Sequence, residues 1–313
     1  MKKNSPLSHF LPSLPWGLGL LFPAILLLAS GCGKPTVVPA RDASEVPQRV
    51  VSLSPALTEM MFELGLEAHL TGVTNHCKYP PEAQQKTHVG TIFSPNLERL
   101  ATLRPDCILM NCRAPEQAAA FERFGWHPET IPDEQLEDVF AGIRHLGTLF
   151  QVQDRAEQVI SRLQSRLARL RQQTAAQPPI RVLLVLSRNY AGTQLEEVYV
   201  AGRDGLCDRL LRIAGGVNAY EGASPFPKVS SEGILNLNPD VILEVIPDSI
   251  LAETPPEKLS QAWQALPMLP AVQKKRIFWL AESEAGLIPG PSMVLWAEKT
   301  AQILAPIREE EKK

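Results

Sequence analysis

The chain has 313 residues, with 31 Lys and Arg against 34 Asp and Glu, and 44% of it is hydrophobic. A slightly acidic balance with no long Lys/Arg run excludes a protein built to grip nucleic acid. The length allows two ordinary lobes with cores of their own.

The chain opens with Lys2 and Lys3, continues with the uncharged apolar run Trp16 to Ala29, WGLGLLFPAILLLA, and reaches the small residues ASG just before Cys32. That is the order of a secretory signal, and Pro23 with the small-residue exit argues against an uncleaved span. The ASGC tetrad resembles a bacterial lipobox, so residues 1–31 are expected to be removed and Cys32 to become an acylated first residue. Residues 32–48, polar and Pro-containing, then form a tether. Without Lys2 and Lys3 the mature chain carries 29 basic residues against 34 acidic ones. The short QKKR at Gln273 to Arg276 reads as a solvated turn before a strand.

From Arg49 the pattern RVVSLSPALTEMMFELGL predicts a strand at Val50 to Leu53 and then a helix. Ser54 suits the N-cap, Pro55 the first helical position, Leu57, Met60, Met61 and Leu64 one face, and Gly65 the close. Strands are expected at Leu70 to Thr74, Cys107 to Asn111 and His127 to Ile131, with helices between them, which indicates an α/β layer with a mainly parallel sheet. Asp154 to Thr174 reads as one long helix with the apolar stripe Ala156, Val159, Ile160, Leu163, Leu167 and Leu170, and Asp154 with Glu157 offers a capping box. Strand and helix then alternate again. Strands are expected at Val182 to Leu186, Val241 to Ile246 and Arg276 to Ala281. Helices are expected at Gly205 to Ala214, from Ser231, at Lys258 to Leu266, and after the turn Pro289 to Pro291 to about Leu304. The expected organisation is an α/β lobe over 49–152, a linker helix over 153–175 and a second α/β lobe over 176–313.

One phrase occurs in both lobes. Glu98 to Leu109, ERLATLRPDCIL, returns 134 residues later as Glu232 to Leu243, EGILNLNPDVIL, with the same spacing of Glu, two apolar residues, Pro-Asp and Ile-Leu. Asn96 and Ser230 are natural N-caps, which places Glu98 and Glu232 in a first helical turn where the helix dipole favours a carboxylate. Pro105 and Pro239 stop the helix and Asp106 and Asp240 lead into a strand. Among the cysteines, Cys107 and Cys207 sit in apolar runs as inert buried thiols, while Cys77 and Cys112 each follow a strand-like run and are the candidate disulfide of an oxidising compartment.

Taken in order, RVVSLSPALTEMMFELG, GVTNHCKYPPEA, VGTIFSPNLERLATLRPD, AGGVN, PKVSSEGILNLNPDVIL and the PGP turn before a closing helix resemble the periplasmic substrate-binding proteins of the cobalamin and iron-chelate ABC importers. The resemblance covers Arg49 to Pro306 and is strongest to the cobalamin-binding members. It implies the class III architecture: two α/β lobes with mainly parallel sheets, joined by one long backbone helix, with ligand held between the lobes. It further implies that Glu98 and Glu232 face the membrane subunits of an ABC permease and pair with their Arg residues. Carried across residue by residue, it places His76 and Phe226 at aromatic cleft positions, Ile92 or Phe93 at another, and Glu282 or Glu284 at a polar contact. His76 and Ile92 depart from the aromatic pattern. Phe93, Arg188, Tyr190 and Phe226 are the side chains that could wall a bulky chelate, and His76 could ligate its metal, hydrogen-bond its periphery or be an ordinary loop histidine. No resident cofactor is expected, the metal chelate being cargo. The partners expected are that chelate, the permease and, through the lipid anchor, a bacterial membrane, with the protein itself a monomer.

Two other functions compete. A carrier of bare zinc or manganese would draw His and carboxylate ligands from both lobes, and all six His lie at or before His145. A hydrolase would use Ser54 at its strand-to-helix turn, but SLSPA lacks the glycines of the nucleophile elbow, and no P-loop, HExxH or dinucleotide fingerprint occurs.

Overall fold

In the computed structural model, residues 45–190, 194–281 and 289–311 are described. Cys32, most of the tether, and Glu282 and Glu284 lie outside them. The first sheet is built from β1 (Val50–Ser52), β2 (Leu70–Val73), β3 (Thr87–His88), β4 (Cys107–Asn111) and β5 (Pro128–Ile131), in the spatial order β3-β2-β1-β4-β5 with every pair parallel. Helices α1 (Pro55–Glu63), α2 (Leu97–Leu103), α3 (Pro115–Arg123) and α4 (Leu136–Leu149) cover its faces. Neighbouring residues of each strand enter different cores. Val50 and Leu109 pack toward α1 and α4, whereas Val51, Ile108 and Met110 pack with Phe121 and Trp126 on the other face.

Helix α5 (Gln153–Thr174) has 22 residues, a length of about 33 Å at the α-helical rise. All six residues of its apolar stripe are buried, in a cluster that also holds Leu57 and Ile143 of the first lobe and Leu184, Leu211 and Leu304 of the second. The helix is therefore a packed spine shared by both lobes. The capping box expected at Asp154 and Glu157 is not made: Val152 is the N-cap without a side-chain bond, and Glu157 instead accepts two hydrogen bonds from Arg144 of α4. The box forms at α4, between Gln135 and Asp138.

The second sheet comprises β6 (Ile180–Ser187), β7 (Val198–Val200), β8 (Gly216–Asn218), β9 (Lys228–Val229), β10 (Val241–Ile246) and β11 (Ile277–Ala281). Its order is β11-β10-β6-β7-β9, with β8 also on β6, and only the β6–β7 and β7–β9 pairs are antiparallel. The helices of this lobe are α6 (Leu206–Ile213), α7 (Ser231–Leu237), α8 (Asp248–Glu253), α9 (Pro256–Gln261), α10 (Pro270–Gln273) and α11 (Met293–Glu311). The helix expected at Lys258 to Leu266 is α9 followed by a 3₁₀ turn over Ala262–Ala265, and the closing helix runs past Leu304 and through Pro306. Arg276, expected in a solvated turn, is buried and pairs with Glu310 and Glu311, tying the end of α11 to the edge of β11. The described residues form one compact unit that includes both sheets and the spine. Among the described residues no helix is long and apolar enough to cross a membrane.

The repeated phrase folds the same way twice. The Asn96 side chain accepts from the Arg99 N–H and the Ser230 side chain from the Gly233 N–H, so both caps form as expected. Both helices end on a left-handed residue, Arg104 at φ 47° and Asn238 at φ 45°, directly before the proline. Each aspartate then reaches a neighbouring strand. Asp106 accepts from the N–H groups of Gln48 and Arg49 at 3.0 and 2.9 Å, and Asp240 from that of Arg181 at 3.3 Å. The Pro-Asp pair is thus a stop followed by a clamp on the start of β1 or β6.

Candidate functional site

A parallel sheet gathers the carboxyl ends of its strands and the amino ends of the following helices on one edge, and ligands collect where the strand order reverses. In the first lobe that point lies between β1 and β4. The residues after these strands, Ser54 and Pro55 on one side and Asn111 and Arg113 on the other, line a cleft of about 720 Å³, within the range of small-molecule sites.

The two walls of the cleft differ in chemistry. The first lobe contributes Glu59, His76, Lys78, Tyr79, Asp133 and Gln135 besides the residues just named. The second lobe contributes Ala201, Gly202, Leu206, Pro225 and Phe226, an almost wholly apolar face, and Pro289 and Ser292 complete the lining. A ligand here meets hydrogen-bonding groups on one side and bare carbon on the other.

Most charges on the polar wall are already paired. Asp133 is buried, accepts from Asn111 Nδ2 at 3.0 Å and lies 3.3 Å from Arg113 Nε. Burial pushes its carboxyl up, with Arg113 acting against the shift. Lys78 reaches Asp248 of α8 at 3.2 Å, and Arg209 of α6 donates to Glu137 of α4 at 2.7 Å, so two half-exposed ion pairs bridge the lobes. Such pairs are individually weak and screened by salt. Glu59 is different: it is 5% exposed, and burial pushes its carboxyl up to about 7 although Ser292 hydrogen-bonds to it.

Of the side chains expected at the ligand, the cleft brings together His76 and Phe226, one from each lobe. His76 is exposed, and Phe226 is 63% exposed. Phe93 is 73% exposed on the loop between β3 and α2 and is not part of the cleft lining, while Ile92 packs onto the outer core of the first sheet.

Arg188 and Tyr190 are corrections. Arg188 is buried and its Nε donates to Glu244, its guanidinium also bonding the Leu259 carbonyl at 3.0 Å. The indoles of Trp263 and Trp279 donate to the other oxygen of Glu244 at 3.1 and 3.2 Å. Tyr190 lies under Arg188, ring centroid to guanidinium carbon 4.6 Å, and donates to the Val245 carbonyl. Arg188 serves the interior of the second lobe with the half-buried Tyr190 packed on it, and neither lines the cleft.

The expected bridge between Cys77 and Cys112 is not formed. Cys77 is fully buried, with its sulfur against the hydroxyls of Thr58 and Thr74 at 3.2 Å, while Cys112 is exposed at the end of β4; both are free thiols. Ser54 occupies the N-cap of α1, but its side chain caps nothing, and among the described residues its buried hydroxyl has no hydrogen-bond partner, a His base included. Glu98 and Glu232 are both exposed in the first turns of α2 and α7.

Reasoning along the chain missed Glu59, Lys78, Asn111, Arg113 and Asp133. One signal was available: Glu59 is a carboxylate in the middle of a helix, flanked there by Ala56, Leu57, Met60 and Met61, which are apolar and buried.

Two α/β lobes on a helical spine, with a cleft between the carboxyl edge of the first sheet and the loops around β7 and α6 of the second lobe, define a bilobal binding protein. Residues 50–283 match the periplasmic binding protein family, and the chain belongs to it. It is 28% identical over 278 residues to the vitamin B12-binding protein of Pectobacterium atrosepticum, covering 85% of this chain and 91% of that one. Among solved structures it is similar to the periplasmic heme-binding protein BhuT in complex with two hemes, with TM-score 0.72, 27% identity and coverage of 84% and 99% of the two chains. It is likewise similar to the vitamin B12-binding protein BtuF of Vibrio cholerae, with TM-score 0.68, 25% identity and coverage of 84% and 98%. The fold is that of the class III periplasmic binding proteins.

Proposed function

We infer that this chain is the substrate-binding component of an ABC importer. It captures a metal chelate outside the cytoplasm, a corrinoid first and haem or a ferric siderophore as the other candidates, and hands it to the permease without altering it. The observation that carries this reading is the two-faced cleft of about 720 Å³, with His76 on a polar wall and Phe226 on an apolar one. A flat chelate with polar substituents has both kinds of surface to satisfy. The kinship with vitamin B12-binding and heme-binding proteins supports the same class of cargo. Glu98 and Glu232, one in the first turn of the repeated helix in each lobe, present matched charges to the permease. Cys32, acylated after loss of residues 1–31, tethers the protein to the membrane.

A thermal-shift screen of the purified chain against cyanocobalamin, cobinamide, hemin and ferric siderophores tests this. A cognate chelate at a hundred times its Kd adds about 2.7 kcal/mol, a rise of roughly 5–10 °C for a chain of this size. A rise with zinc or manganese salts and none with any chelate would replace this reading with the bare-ion carrier.

A further inference from the structure

Glu59 stands apart from every other acid near the cleft. It lines the ligand cleft on one side and, on the other, a second cavity of about 760 Å³ bordered by Glu63, Tyr79, Arg155 and Arg162. Its carboxylate reaches from α1 of the first lobe to the turn that starts α11, where the Ser292 N–H donates to Oε2 at 3.0 Å. The fit is close: a Cβ on Gly290 would lie 2.7 Å from the same oxygen.

Most cations around it are committed elsewhere: Arg162 pairs with Glu63, Arg166 with Glu298 of α11, Lys78 with Asp248 and Arg113 with Asp133, and Lys86 donates to the Glu67 carbonyl. Arg155, which also borders the second cavity, is exposed on α5. The remaining titratable groups facing this region are Glu63, Glu67, Glu82 and Tyr79 on the side of the second cavity, His76, Glu134 and Cys207 on the side of the cleft, and the buried Cys77. Burial pushes the Tyr79 hydroxyl and the Cys77 thiol upward, and the Glu59 charge adds to both. Among the described residues, then, Glu59 is a buried carboxylate with hydrogen-bond donors but no countercharge. A carboxyl so placed is held in its neutral form by any further loss of water.

We propose that Glu59 couples ligand capture to proton uptake: the chelate enters the cleft, displaces the water on that side of the carboxylate, and Glu59 takes one proton from solvent. This rests on the chelate-carrier reading above. In the free protein the carboxyl titrates at about 7, so near neutral pH an appreciable fraction is ionised and has a proton to gain. Ligand raises that value further. Affinity is therefore highest at acid pH and falls, by up to tenfold per pH unit, between the free and bound values.

Calorimetric titrations with hemin and with cyanocobalamin, in two buffers of different ionisation enthalpy, read the proton count directly. Up to one proton is expected with the wild type at about pH 8, and none with E59Q, which keeps the size of the side chain and an acceptor for the Ser292 N–H. Wild-type affinity should decline from about pH 6 to pH 9 while that of E59Q stays level. The wild-type measurement alone decides the matter if E59Q does not fold. Binding without proton uptake, or with equal uptake in E59Q, would overturn the inference while leaving the carrier reading intact. If neither of these chelates binds, the same titrations are run with cobinamide and ferric siderophores, and failure of all of them to bind would overturn the two together.

Discussion

Replacing Glu244 with Ala should be among the most damaging single substitutions in the second lobe. Glu244 is 0% exposed in the middle of β10, and its two oxygens serve Arg188 on one side and the indoles of Trp263 and Trp279 on the other. E244A strands a buried guanidinium and two indole N–H groups at once. Breaking a buried ion pair from one side costs about 3–5 kcal/mol, and we expect about 4 kcal/mol, a large share of the roughly 5–15 kcal/mol that holds a domain folded. Urea denaturation of the chain, followed by tryptophan emission, measures the cost and reports on Trp263 and Trp279 together. The double substitution R188M/E244Q removes both charges while leaving an amide oxygen for the indoles, so it should cost less than E244A, under about 2 kcal/mol. If E244A costs below about 1 kcal/mol, or if the double variant costs the sum of the two singles, the assignment of these residues to a mutually satisfied interior group is wrong.

The two aspartates of the repeated phrase should differ in worth. D106A loses two backbone hydrogen bonds and D240A one, so chemical denaturation should show about 2 kcal/mol for the first and about 1 kcal/mol for the second. The exposed E98A/E232A pair should cost stability by no more than about 1 kcal/mol per site and leave chelate affinity unchanged while impairing uptake in cells or ATPase stimulation of the reconstituted importer. Full uptake by that double variant would remove the docking role.

The elements that could be read along the chain are those whose signals are local. The Ser54-Pro55 start and Gly65 close of α1, the caps at Asn96 and Ser230, the stops at Pro105 and Pro239 and the stripe of α5 all depend on residues within a turn or two of one another. Strands β7 and β9, of three and two residues, are too short to show a period and were invisible. The capping box at Asp154 failed for a related reason: Glu157 had a better partner in Arg144, on another helix.

The chain order by itself determined an alternating α/β protein in two lobes about one helix, with a matched acidic first turn in each, because periodicity, capping and helix stops act over a few residues. Tertiary packing decided which side chains meet in the cleft. Arg188, just past the end of a strand, looks like a cleft residue until Glu244, 56 positions away, claims it. Glu59 looks like one acid on a helix until the turn at Gly290 and Ser292, more than 230 residues further on, closes over it. Burial is what pushes its carboxyl up, and that burial is a property of the folded assembly of groups.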